Sequence, residues 1–374
     1  MPDAASDSAL IVLGILILLV PVMGIVMGLT PYLMPKRECF AVTVPDSAVA
    51  DPCLRRLKRR YLAIMLALSA AATAACAASL QGGPSGTFAA VLTVSLLVLC
   101  IGGYGLMLFF RAKVRAYKAQ QGWTAEGRRT VGYVGDEPFP KPISLAWNLL
   151  YLPVLAVTVA MGIAGYGTMP ARIPMQMDFE GHVTTWADKS PAVVMFPVLF
   201  VLFMGGCFLL CHWMITRSKR GSDPAMPAAS AWAYGMFARA QSILLVALGL
   251  MFSLMGPLME LAFTGVLSLD QVLVPVMAMA AVAVVASIAV SVIYGQNGSR
   301  LIARMGESDA MPRDDDRFWK LGIFYVNRDD ACLFLPERFG IGWTINWGRP
   351  GAWVLMLVLV LVTVAFVAFC LSIG

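Results

Sequence analysis

Reactive side chains are sparse in this chain, and their spacing limits the chemistry available to them. There are only two histidines, His182 and His212. An apolar stretch near 191–214, long enough to cross a bilayer, separates them, which excludes a shared histidine site. Cys207 and Cys211 stand four residues apart, on one face of a helix, with His212 beside them. A metal site needs three or four ligands, and no second Cys or His cluster accompanies this one, so the cysteines read as small apolar packing residues. Glu260 follows the run MGPLM near the end of another apolar stretch. An ionisable residue inside a membrane is a functional candidate by default, and Gly256-Pro257 predicts a kink beneath it. The competing reading is a carboxylate close enough to the surface to be hydrated. No Gly-rich phosphate loop, His-Glu-x-x-His or serine nucleophile motif occurs. The sequence therefore assigns no catalytic residue, metal or cofactor, and no nucleic-acid partner.

What must position these residues is a membrane scaffold. Of 374 residues, 59% are apolar and 13% charged, about half the charge of a soluble domain. Eight apolar stretches, near 9–34, 61–80, 88–110, 145–167, 191–214, 241–265, 271–294 and 351–373, approach or exceed the length of a membrane-spanning helix. The run Ala229–Gly265 is longer than one span needs, and its first turns, with Arg239, are expected at the interface. The N-terminal segment MPDAASDS is acidic and precedes a long apolar run, so the first span reads as a retained helix rather than a signal peptide.

Charge predicts the sidedness. The loops after spans one, three, five and seven carry 7, 7, 3 and 8 of the 28 Lys and Arg residues, whereas those after spans two, four and six carry 0, 2 and 0. Basic loops stay in the cytoplasm, so both termini are expected outside. No cysteine then falls on the oxidising side, and disulfides are not expected.

The loop after span four, GTMPARIPMQMDFEGHVTTWADKSP, begins at position 167 and faces outward in this topology. Pro170 and Pro174 restrict its backbone, Gly181 permits a turn, and Asp178, Glu180 and Asp188 outnumber Arg172 and Lys189. One reading is a binding surface of Gln176, Asp178, Gly181, Trp186 and Lys189, able to attract a cationic peptide. The other is a structured cap, with Trp186 at the interface and Lys189 anchoring span five.

On the inner side, Asp51-Pro52 has the chemistry of a helix start that runs into span two. It carries Arg55, Arg56, Lys58, Arg59 and Arg60 at the surface, a topology anchor that would also attract anionic headgroups. Span two is rich in alanine and serine, which predicts a helix enclosed by the bundle. Between spans seven and eight lies a piece with eight basic and eight acidic residues and a crowd of aromatics. Its runs GIFYV and ACLFL, separated by NRDD, predict a β-hairpin against the inner face of the membrane.

Two motifs resemble known families. Met169-Pro170, Ile173-Pro174, Gly181, Trp186 and Lys189 resemble an outer-loop signature, Leu-Pro-x-x-Ile-Pro-x-His followed by Gly, Asp, Trp and Lys. That signature marks bacterial multi-pass membrane proteins of unknown function, which include the SdpI-type immunity proteins. Gln176 stands where the pattern has histidine, and Thr184 where it has aspartate. Trp319, Gly322, Tyr325, Asn327, Asp330, Phe339, Gly340, Gly342, Trp343 and Asn346 resemble an uncharacterised cytoplasmic domain often found at the C-terminus of such proteins. The resemblance implies a bacterial plasma membrane, and kinship with proteins that neutralise a secreted peptide toxin and report it to a repressor.

The sequence is thus read as an all-α polytopic membrane protein of eight spans, both termini outside, with a small cytoplasmic β-hairpin unit. It divides into a first bundle (1–165, helices 1–4), the outer loop (166–190), a second bundle (191–295), the aromatic unit (296–350) and helix 8 (351–374). The expected function is non-enzymatic, of receptor or immunity type, sensing a peptide or envelope component outside and meeting a cytoplasmic regulator inside. The alternatives are a small-molecule or lipid transporter, with Glu260 on its pathway, and a membrane enzyme.

Overall fold

The structure, a computed structural model, describes residues 3–35, 37–80, 86–125, 139–177, 183–219, 226–302 and 314–373. Among the described residues, eight helical segments are long and apolar enough to cross a membrane: Leu13–Leu33, Pro52–Ser79, Thr87–Gln120, Leu145–Thr168, Pro191–Arg217, Pro227–Phe263, Gln271–Ile302 and Pro350–Ile373. They coincide with the eight stretches expected from hydropathy and make this a multi-pass membrane protein.

The first three crossings form one group. Helix α1 (Asp3–Leu33) packs along α2 (Pro52–Ser79), where Gly24 and Gly28 let the backbones approach. A methyl at Gly28 would stand 2.8 Å from Leu62 Cδ1, and the Ser69 hydroxyl donates to the Val20 carbonyl at 3.3 Å. Asp51 caps α2 as its sequence suggested, accepting from the Cys53 and Leu54 N–H groups, with Pro52 in the first turn. The expectation that α2 is enclosed is corrected. Only the face of Leu54, Leu57, Tyr61, Met65, Ser69 and Cys76 is buried, while Ile64, Leu66 and Leu68 point outward. Close approach needs small residues along one seam, not around the whole circumference. The third crossing joins α3 (Gly86–Leu97) to α4 (Gly103–Gln120) through one wider helical turn at Val98–Gly102.

The fourth crossing, α5 (Tyr151–Gly165), packs against α6 (Pro191–Arg217), α7 (Pro227–Ser253) and α8 (Met255–Phe263). Packing therefore groups span four with the later helices, whereas the sequence division placed it with the first three. Helix α7 runs unbroken from Pro227, so the turns around Arg239 belong to the same helix as span six. Their face of Ser230, Ala233, Tyr234, Phe237 and Ala238 is buried. The helix breaks at Leu254, where Pro257 has no N–H to offer the Ser253 carbonyl. Helix α9 (Leu269–Tyr294), started by a reciprocal Ser268–Gln271 cap, bridges α1 to α7 and α8. After α10 (Ser299–Ile302), the last crossing, α11 (Pro350–Ile373), lies on α6 with the Phe203 and Phe366 rings stacked at 4.5 Å.

Among the described residues, four two-stranded antiparallel ladders decorate the helices: β1 (Glu38–Cys39) with β2 (Val42–Thr43), β3 (Arg172–Met177) with β4 (Val183–Asp188), β5 (Trp319–Lys320) with β6 (Phe324–Tyr325), and β7 (Phe334–Pro336) with β8 (Trp343–Ile345). The fold is mostly helical, as expected, with these short ladders beyond the spans. The predicted pairing of GIFYV with ACLFL does not form. Each run pairs with a nearer partner, and a single bridge from Tyr325 to Asn346 joins the two small ladders. The NRDD turn is taken up instead by side chains, since Asn327 Oδ1 accepts from the Asp329 N–H and Asp330 Oδ1 from the Cys332 N–H.

Candidate functional site

The two ends of the bundle carry different structures. At one end the β3–β4 hairpin sits on the helices. Ile173 and Ala187 face each other across the ladder and pack, buried, with Met169, Val193 and Phe263, and Ile373 of α11 joins them. The opposite face of the hairpin is open. Trp186, across from Pro174, is 50% exposed, and exposed Gln176 accepts a hydrogen bond from the Thr185 hydroxyl at 3.1 Å. Lys189 clamps the base of the hairpin: its N–H donates to the Ala171 carbonyl, and its Nζ donates to Met169 O at 3.1 Å while lying 4.8 Å above the Tyr166 ring. Of the proposed outer set, then, Gln176 and Trp186 share an accessible face, and Lys189 is an anchor. Asp178 and Gly181 lie outside the described residues.

Glu260 lies directly beneath this hairpin, one turn from Phe263. It is 0% exposed, and neither carboxyl oxygen has a hydrogen-bond partner among the described residues. Gly162 of α5 makes the space, since a methyl there would meet both Oε1 and Val194 Cγ1 at 2.9 Å.

His212, by contrast, is satisfied. Asn148 donates from Nδ2 to the ring Nδ1 at 2.9 Å, which leaves the proton on Nε2 to donate to Ile143 O at 3.0 Å. Both nitrogens are used within the fold, and Cys207 and Cys211 make no cluster with it. Among the described residues no three His, Cys, Asp or Glu side chains are grouped to hold a metal ion.

The other end is built around the aromatic unit. Asn346, fully buried, is its centre: Nδ2 donates to the carbonyls of Asn327, Asp330 and Cys332, and Oδ1 accepts from the N–H groups of Asn327 and Gly348. Tyr325 donates to Asp330 Oδ2 at 3.0 Å and accepts from Asn327 Nδ2 at 3.1 Å. Asp330 also holds Lys219 at the end of α6, and these donors keep its carboxyl below the usual range although burial opposes them. Gly340 (φ 119°) turns the chain between β7 and β8 in a conformation that side chains rarely adopt. Trp343 stacks on Phe237 of α7 at 5.3 Å, and buried Gln296, just past α9, bonds the Glu337 and Gly342 carbonyls. The motif residues thus build and dock this unit.

Sequence reasoning missed the group that ties the unit to the loop between α1 and α2. Arg338 pairs with Glu38, Asp315 and Asp316 and lies 5.0 Å above the Trp319 ring. Lys118 of α4 reaches Asp314 and Asp316, and Thr43 donates to Asp316 from both its N–H and its hydroxyl. Phe40 and Ala41, at the tip of the β1–β2 hairpin, hold φ of 48° and 58°, and Arg111 bonds both their carbonyls and that of Trp319. The run of three aspartates was the available signal, but it named no partner.

This cluster predicts a pH response. Burial pushes the Glu38 carboxyl up to about 8, with Arg338 opposing and Asp315 and Asp316 adding to the rise. Burial opposes ionisation of Asp316 as well, but Arg338, Lys118 and Thr43 hold it down at about 2. The folded protein therefore retains the Glu38 proton that the unfolded chain loses near 4.5, and its contribution weakens as pH rises from there to about 8. Asp316 acts oppositely, its contribution being lost as pH falls from 3.8 to about 2. Glu38→Gln is expected to remove an alkaline-side slope of up to about 1.4 kcal/mol per pH unit and leave the acid-side loss intact, as read by thermal melts across pH.

With this geometry in place, the comparisons with known proteins gain meaning. Residues 154–201 match a family model described as a domain of unknown function (DUF1648). Residues 328–353 match a second, described as a family of unknown function (DUF5808). Both matches are consistent with an uncharacterised family. No curated protein and no solved structure matches the chain. The first match takes in most of α5, the β3–β4 hairpin and the start of α6, and the second takes in Asp330 and Asn346. The two matched pieces are the two units at opposite ends of α6.

Proposed function

We propose that this chain is a non-enzymatic receptor or immunity protein of the bacterial plasma membrane, with the hairpin outside, the aromatic unit inside and both termini outside. One observation carries the reading: α6 is a single helix fixed to a built unit at each end. It starts at the Ser190 cap immediately after the hairpin. It ends where Trp213 packs on Phe334 at 5.1 Å, Lys219 N–H donates to Phe334 O and Lys219 Nζ holds Asp330. A ligand that shifts the hairpin would move the aromatic unit with no further parts.

The charge asymmetry of the loops supports the sidedness, because basic segments are retained inside. Exposed Arg55, Arg56, Arg59 and Arg60 would then meet anionic headgroups. The outer ligand would be a cationic membrane-active peptide or an envelope component, taken up on the face of Trp186 and Gln176, with a cytoplasmic regulator reading the aromatic unit. Trp186→Ala is expected to weaken peptide binding about 30-fold, equivalent to about 2 kcal/mol, in a titration with reconstituted protein. Unchanged affinity would sink the reading. The competing class, a small-molecule or lipid transporter, draws on Glu260. It would be favoured if Glu260→Gln abolished function in cells while changes at Trp186 were tolerated.

A further inference from the structure

Glu260 is the anomaly of the bundle. A carboxylate buried in an apolar span without donors is heavily penalised, and such groups neutralise or find a counter-charge. Among the described residues no counter-charge reaches it. At this end of the described structure the charged groups are Lys189, committed to Met169 O and the Tyr166 ring, and Arg172, paired with Asp188 at 3.7 Å. On α5 it faces Gly162 and on α6 the apolar Val194. Asp178, Glu180, His182 and the Asp270 side chain lie outside the described set.

The packing also decides which cation fits. A metal ion would need several oxygen ligands, and a methyl at Gly162 would already be too close to Oε1. Only a proton adds positive charge without adding volume. Polar groups continue from Glu260 through the interior. Thr158 lies on the face of α5 that meets Gly256, followed by buried Ser253 and by Tyr151, whose hydroxyl fills the place of a side chain at Gly249. Tyr151 Oη and Asn148 Oδ1 are likewise buried without partners. Among the described residues, Glu260, Tyr151 and Asn148 thus hold buried polar atoms without partners along the side of α5 that meets α7 and α8.

We propose that Glu260 is a proton-binding site, its carboxyl protonated while the hairpin caps it and exchanging its proton along the polar line between α5 and α7–α8. This stands apart from the sensing reading, and its test needs no ligand. Infrared difference spectra of the full chain in lipid, at neutral pH and in light and heavy water, report protonated carboxyls through their carbonyl stretch. Glu38 and Glu337 at the other end, raised by burial to about 8 and about 7, contribute as well, so the signal is wild type minus Glu260→Gln. We expect that variant to lose one carboxylic carbonyl band. An unchanged spectrum would overturn the proposal. Should the variant fail to accumulate, Gly162→Ala presses a methyl on Oε1 and must shift the same band, and an unshifted band would overturn it equally.

Discussion

Asn346→Leu is expected to unfold the aromatic unit while the membrane helices stay inserted. The substitution keeps the branched shape but removes five hydrogen bonds at a fully buried position. Two backbone N–H groups and three carbonyls would lose this partner, and a buried orphan costs about 1–3 kcal/mol each. Even with partial relaxation, the loss exceeds about 4 kcal/mol, a large share of the stability of any small unit. The crossings carry their own backbone bonds and should be spared. Limited proteolysis within 314–349 together with circular dichroism separates the two outcomes: rapid cleavage with full helix content is expected. A protected unit in the variant would show that Asn346 is not its centre.

Arg338→Met should release the loop between α1 and α2 from the aromatic unit. It strands the carboxylates of Asp315 and Asp316 around an apolar side chain, and breaking a buried ion cluster by removing one partner costs about 3–5 kcal/mol. Because the damage comes from the carboxylates left behind, the variant should regain stability as pH falls and they accept protons. Adding Asp315→Asn and Asp316→Asn to it should restore part of the loss even at neutral pH. Denaturation of the three proteins followed by tryptophan fluorescence reads this directly, since Trp319 lies under Arg338. If Arg338→Met melted like wild type, the cluster would be solvated decoration rather than the joint between the two halves of this surface.

Both effects come from residues whose importance the sequence showed unequally. Asn346 belonged to a motif visible by resemblance, yet its work, satisfying the backbone of the 327–332 turn and of Gly348, depends on how those two segments meet. Arg338 belonged to no motif and looked like one charge in a balanced loop. The β3–β4 hairpin was hidden by its own prolines. Pro174 reads as loop chemistry, although a strand in a two-stranded ladder tolerates proline on its free side. The GIFYV and ACLFL runs were rightly taken for strand material and wrongly paired, because strand propensity is local whereas the choice of partner is not.

The sequence by itself determined the eight crossings, the cap at Asp51 and the asymmetric distribution of basic loops. Each depends on transfer of apolar length out of water or on chemistry between neighbours in the chain, and both are written in order along it. Only the tertiary structure decided that Glu260 is buried without a partner among the described residues, that Lys189 clamps the base of the hairpin, and that Arg338 reaches back to Glu38. Those outcomes turn on burial and on contacts between residues hundreds of positions apart. Linear spacing carries no record of the desolvation and pairing that result.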